Sequence, residues 1–178
     1  MMRWAALLKG INAGRKLAMA DLRAFLADQG MGDVKTLLAS GNAVFDAAER
    51  DAAKLETKLA AAAKKALSLD TDWFLRSHAD LTAIAAANPF PDAAEAHPNH
   101  LQIFFHRGPV DPALIDAVAA IYDGPERIHA IGRELYVDYP DDIGHSKLPQ
   151  AMTKAKFPKA ATARNWNTVL KLIAMLER

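Results

Sequence analysis

Apolar residues change their spacing several times along this chain, and each change marks an element. Trp4–Leu8 is a short unbroken apolar run ahead of Lys9-Gly10, the pattern of a buried strand. Ile11–Leu17 reads as a loop. Over Asp21–Gln29 the spacing turns helical, with Leu22, Phe25 and Leu26 on one face and Gly30 as the stop. Val34–Leu38 is β-rich and ends at Ser40-Gly41-Asn42, a turn signal before Ala43–Phe45, so the pair reads as a hairpin. Arg50–Leu67 carries Leu55, Leu59, Ala63 and Ala66 down one side of a predicted helix. Asp70-Thr71-Asp72 breaks it before a strand at Trp73–Leu75. Ser77 or His78 then opens a short helix with Leu81, Ile84 and Ala85 inward.

The order β-α-β-β-α-β makes residues 1–87 a ferredoxin-like subdomain, an antiparallel sheet with helices on one face. Residues 88–99 hold Pro89, Pro91 and Pro98 without periodicity and read as a linker. Residues 100–178 form a second subdomain. It has a strand at Leu101–Phe105 and a helix at Pro112–Tyr122 with Leu114, Val118 and Ile121 inward. A hairpin follows from Arg127–Ile131 and Glu134–Tyr139, then helices at Lys147–Lys156 and Asn165–Leu176. This order is β-α-β-β-α-α, with a helix where the first half has its last strand, and no residue-level repeat is evident. In the last helix Val169, Leu170, Ile173 and Leu176 form an apolar stripe, and Trp166 reads as its first core anchor. The expected class is α+β in two packed subdomains.

Composition narrows the picture. With 51% hydrophobic and 24% charged residues among 178, there is ample material for a core. The absence of cysteine excludes disulfides, thiolate metal sites and cysteine nucleophiles, and agrees with a reducing compartment. The run Trp4–Leu8 is too short for a signal peptide or a membrane span, so a cytoplasmic protein without a membrane partner is expected. Charge is uneven. Up to Gly144 there are 15 Lys/Arg against 20 Asp/Glu, net −5, whereas His145–Arg178 holds seven against one, net +6. That asymmetry hints at an anionic partner, the bland alternative being that Lys154, Lys156 and Lys159 line a solvated surface.

Several stretches invite chemistry. The loop Gly10–Lys16 suggests a phosphate-binding P-loop but fails on detail. Three residues separate its glycines, Arg15 intervenes before the Lys, and Leu17 stands where a magnesium-binding hydroxyl belongs. A basic loop meeting an anion with Lys9, Arg15 and Lys16 survives. Ser40-Gly41-Asn42 is turn chemistry and no nucleophile elbow. His97 and His100 flank Pro98 with no carboxylate cluster to complete a metal set, so neither metal nor cofactor is expected. His145 beside Ser146 suggests general-base work, against the simpler reading of Ser146 as a helix cap. At Thr162–Thr168 either Thr162 or Asn165 caps the last helix, and Arg164 beside a helix N-terminus makes an anion site.

Three blocks then converge: A-L-L-K-G-I-N-A-G at Ala6–Gly14, S-G-N-A-V-F at Ser40–Phe45 and T-A-R-N-W-N-T-V at Thr162–Val169. Together they resemble the uncharacterised, largely bacterial domain-of-unknown-function family 1697. The resemblance implies a two-part α+β fold with ferredoxin-like elements and brings no established reaction, substrate or cofactor. The family's first block reads L-L-R-G-I-N-V-G-G; here Lys9, Ala13 and Arg15 replace Arg, Val and Gly, in a loop shorter by about two residues, a change loops tolerate. Carried over by position, the family's polar residues are Asn12, Gly14, Ser40, Asn42, Arg164, Asn165, Trp166 and Asn167.

The leading expectation is a protein that binds an anionic small molecule, such as a nucleotide, or a nucleic acid. Lys9, Arg15, Lys16 and Arg164 supply charge, and Asn12, Ser40, Asn42, Asn165 and Asn167 supply hydrogen bonds. One alternative is an enzyme on a small polar or phosphorylated substrate, with His145 or Ser40 catalytic. Another is a structural role in which these motifs hold the two halves together. Whether the protein is an enzyme, and its oligomeric state, stay open at this level.

Overall fold

The computed structural model describes residues 1–12 and 16–177. The chain divides into two compact units, Met1–Ala83 with the segment from Lys171 onward, and Ile84–Leu170. The first holds β1 (Met2–Leu8), α1 (Met19–Asp28), β2 (Gly32–Leu37), β3 (Asn42–Ala47), α2 (Ala52–Leu67) and β4 (Trp73–Ser77). Its antiparallel sheet has the order β2-β3-β1-β4. Alternation puts Trp4, Ala6 and Leu8 of β1 on the helical face, where they meet Phe45, Trp73 and Leu75 of the sheet. Leu22, Phe25 and Leu26 of α1 and Leu55, Leu59 and Ala63 of α2 close that core. Phe25 and Trp73 pack with ring centroids 6.1 Å apart. Ala66, expected on the inner side of α2, is exposed, and Glu56 is buried instead. The helix is capped as its sequence suggests: Asp51 accepts from Lys54 N at 3.1 Å, and Ser68 turns left-handed at its end.

The division falls within α3 (His78–Ala86). Beyond it come α4 (Pro91–Ala96), β5 (Leu101–His106), α5 (Ala113–Ile121), β6 (Arg127–Ile131), β7 (Glu134–Asp138), α6 (Leu148–Lys154), β8 (Ala161–Asn165) and α7 (Trp166–Leu176). The second sheet is antiparallel with the order β6-β7-β5-β8, the same arrangement as the first. The fold is therefore α+β, with two similar four-stranded subdomains.

Four expectations are corrected. Residues 88–99 are no structureless linker: α4 and a 3-10 turn at Pro98–His100 occupy them, inside the second unit. Residues 161–165 form a strand where none was expected, so the second half also runs β-α-β-β-α-β before its last helix. Ala, Thr and Arg hid it, because they lack the apolar alternation that marks an ordinary strand. In α7, Val169, Leu172 and Leu176 are buried, whereas Leu170 is 44% exposed and Trp166 only half-buried. Ile121 is likewise exposed rather than inward. Among the described residues no helix is long and apolar enough to cross a membrane.

Candidate functional site

In the first unit the polar motif residues act on their own backbone. Asn12, at φ 60°, donates through Nδ2 to Leu17 O at 3.1 Å and Ala39 O at 2.5 Å, and its Oδ1 accepts from Leu17 N at 2.8 Å. Asn42 is fully buried and donates to Leu37 O at 2.8 Å and to the exposed Ser40 Oγ at 3.0 Å. Between them Gly41 sits at φ 89°, where a Cβ would come within 2.9 Å of Ile11. Only glycine meets both demands. The first two blocks thus come together, as loop fasteners. Lys9 lines a hollow of about 400 Å³ with Leu69, Asp70, Thr71 and Asp72, and two carboxylates make it a poor anion site. Lys16 is exposed. Gly14 and Arg15 lie outside the described residues.

The third block lies in the second unit. Arg164 is 6% exposed, and its Nη1 donates to Thr162 Oγ1 at 2.7 Å and to Ala163 O at 2.8 Å. Burial lowers its pKa to about 10, so it stays protonated at neutral pH. It sits within β8, which runs directly into the start of α7. Asn165 is the cap: its Oδ1 accepts from Thr168 N at 2.9 Å. Asn167 donates to Asn99 Oδ1 at 2.8 Å.

A hollow in this unit is lined by Thr162 and Ala163 of that block, and not by Arg164, Asn165 or Asn167. A cavity of about 530 Å³ lies on the helical face of the sheet, over Phe104 and His106 of β5 and Ala161 and Ala163 of β8. Tyr139 and Met152 are in its wall, and Lys156 and Lys159 line it from the turn after α6. That turn is a helix stop: Lys156 N bonds Thr153 O at 3.1 Å and Phe157 N bonds Met152 O at 3.1 Å. Lys156 occupies its left-handed position at φ 65°, where glycine would be relaxed. His106 is 2% exposed. Burial first, and then Glu126 and Tyr122, push the Tyr139 phenol up to about 12, so it remains a neutral donor.

A second hollow, of about 330 Å³, gathers Tyr122, Glu126, Asp142, His145 and Ser146. Tyr122 donates to Glu126 at 2.9 Å, and Ser146 Oγ is hydrogen-bonded to the same carboxylate. Burial and the Glu126 hydrogen bond raise the Tyr122 pKa. Ser146 Oγ also accepts from Leu148 N at 3.1 Å, helping to start α6. His145 pairs with Asp142, which raises the imidazole pKa above 6.5. The Ser146 hydroxyl is therefore directed to Glu126, away from a His-activated role, and Arg164 lies outside this hollow. His97 bonds Asp138 at 2.7 Å and His100 bonds Tyr139 O at 3.1 Å. Among the described residues no group of three or more His, Asp or Glu is placed to hold a metal.

The two sheets align residue by residue. Trp4↔Ser77, Ala6↔Leu75 and Leu8↔Trp73 in the first unit match Gln102↔Asn165, Phe104↔Ala163 and His106↔Ala161 in the second. Arg76 then corresponds to Arg164; its Nη1 donates to Leu75 O at 2.9 Å, as Arg164 does to Ala163 O at 2.8 Å. Ser77 and Asn165 each accept from the N–H three residues on, at 3.1 and 2.9 Å. At these positions F-L-R-S stands against T-A-R-N, with the arginine alone in common. Setting the halves side by side on that arginine is the signal that could have exposed β8.

Comparison with known proteins agrees with this architecture. The model of the family described as "Protein of unknown function (DUF1697)" matches residues 1–136, and the chain belongs to that family. No curated protein matches. Among solved structures, the conserved bacterial protein SP0830 from Streptococcus pneumoniae is similar at 24% identity and a TM-score of 0.78. The match covers 100% of this chain and 99% of that one.

Proposed function

We propose that this member of the family binds a small anionic ligand in the cavity formed by β5, β8 and the end of α6. The supporting observation is Lys156, which lines an otherwise largely apolar cavity from a left-handed position that disfavours lysine. A lysine at a position where glycine would be cheaper, beside a cavity, supports a use for its charge. Lys159 adds a second cation, and the volume lies in the usual range of small-molecule sites, about 300–1,000 Å³. Such a cavity suits a ring-bearing anion such as a nucleotide. It suits nucleic acid less well, because a strand's phosphates need an extended basic track. The cysteine-free composition supports a cytoplasmic setting, and the source of the structural neighbour supports a bacterial one.

Titration calorimetry with inorganic phosphate, AMP, benzoate and a short RNA, at low and high salt, tests the reading. At least one small anion should bind, more weakly at high salt, and about tenfold more weakly in a Lys156→Gln/Lys159→Gln variant. Binding by none of them, or binding indifferent to both lysines, overturns it. The bonds of Asn12, Asn42 and Asn165 support a scaffold reading for these three, in holding loops and a helix end.

A further inference from the structure

Resting on that reading, the register between the two units goes further, because the first unit fills with its own side chains the space that the second leaves empty. Trp73 and Leu75 of β4, both fully buried, stand where β8 has Ala161 and Ala163. Leu8 stands where β5 has His106. The second unit therefore lacks an indole and a leucine side chain at the positions that line its cavity. The covering helix differs in the same sense: α2 has 16 residues and α6 has seven.

The polar complement is as specific. Leu8 N bonds Gly41 O at 2.9 Å and His106 N bonds Arg133 O at 3.0 Å, so these positions turn their N–H groups away from β4 and β8. Ladder alternation then directs the N–H of Leu75 and of Ala163 off the edge of each sheet. In the first unit the Glu56 carboxylate of α2 accepts the Leu75 N–H at 2.9 Å, inside the core. The α6 sequence L-P-Q-A-M-T-K has no carboxylate to do the same for Ala163, which lines the cavity.

We infer that the ligand is a compact aromatic carboxylate, its ring lying over Ala161 where the first unit has Trp73, and its carboxylate meeting the Ala163 N–H where the first unit has Glu56. Lys156 and Lys159 balance the charge, and His106 offers a polar ring contact that Leu8 cannot. The first unit holds, as protein, the chemistry that the second takes from solution.

Indole-3-acetate is the probe, with indole, acetate and AMP as controls, read by calorimetry on the full chain. Indole-3-acetate should bind at least tenfold more tightly than any control. Ala161→Trp, which restores the residue of the first unit, should abolish that binding while the circular dichroism spectrum stays folded. Ala163→Leu provides the same test should the tryptophan variant not fold. If AMP binds with dependence on Lys156 and indole-3-acetate does not, the carboxylate inference fails and the anion reading stands. If no anion binds, both fail. Unchanged indole-3-acetate binding in a folded Ala161→Trp or Ala163→Leu variant would place the ring elsewhere and overturn the inference.

Discussion

The two units share one strand order and close their helical faces differently. In the first, a 16-residue α2 lays Leu55, Leu59 and Ala63 over Trp73 and Leu75, and the core is filled. In the second, α6 contributes buried Leu148 and Ala151, and the β8 end of the face stays hollow. One scaffold thus supplies both a filled core and a hollow open to solvent.

The comparison breaks first at Trp73. Trp73→Ala would hollow the first unit as the second is hollowed, but without a use for the space, and should cost about 3–5 kcal/mol in chemical denaturation. A loss below about 1 kcal/mol would mean that filling is not what distinguishes the units. A smaller effect of opposite sign is expected at the turn after α6. Lys156→Gly relieves a left-handed lysine and should raise stability by about 1 kcal/mol while weakening anion binding. A stability gain with undiminished affinity would detach Lys156 from the cavity's function.

The smallest effect sharpens the contrast with the second hollow. His145 and Asp142 are fully exposed, so their pairing is read as a titration and not as stability. The hydrogen bond to Asp142 raises the His145 pKa, and the same bond lowers that of Asp142. Their mutual stabilisation is therefore complete between 3.8 and 6.5, fading as pH rises through the elevated histidine value or falls through the depressed aspartate one. Asp142→Asn should return the His145 NMR titration toward 6.5 and leave ligand affinity in the cavity unchanged. An altered affinity would join the two hollows into one site.

Periodicity made most of this fold legible. The stripe of α2 and the Ser40-Gly41-Asn42 hairpin are visible in the residues because burial of one face and positive φ both leave marks. β8 left none: its buried positions are Thr162 and Arg164, its cavity-facing ones are alanines, and α7 begins with no intervening turn. The candidate site was harder still. Asn12, Asn42 and Arg164 drew attention because polar residues in motifs stand out, yet none of the three lines the cavity. The cavity is defined by small side chains and a short helix, and an absence of volume has no sequence signature until a filled counterpart lies beside it. Lys156 and Lys159 were legible as charge but not as lining.

The discontinuity of the first unit bears on how the chain is made. Arg3, on β1, donates from Nε to Met175 O at 3.3 Å, linking residues 172 positions apart. The four strands of the first unit are synthesised before any strand of the second, yet that unit closes only with the stretch that contains Met175. The earliest residues synthesised thus wait longest for their last neighbour.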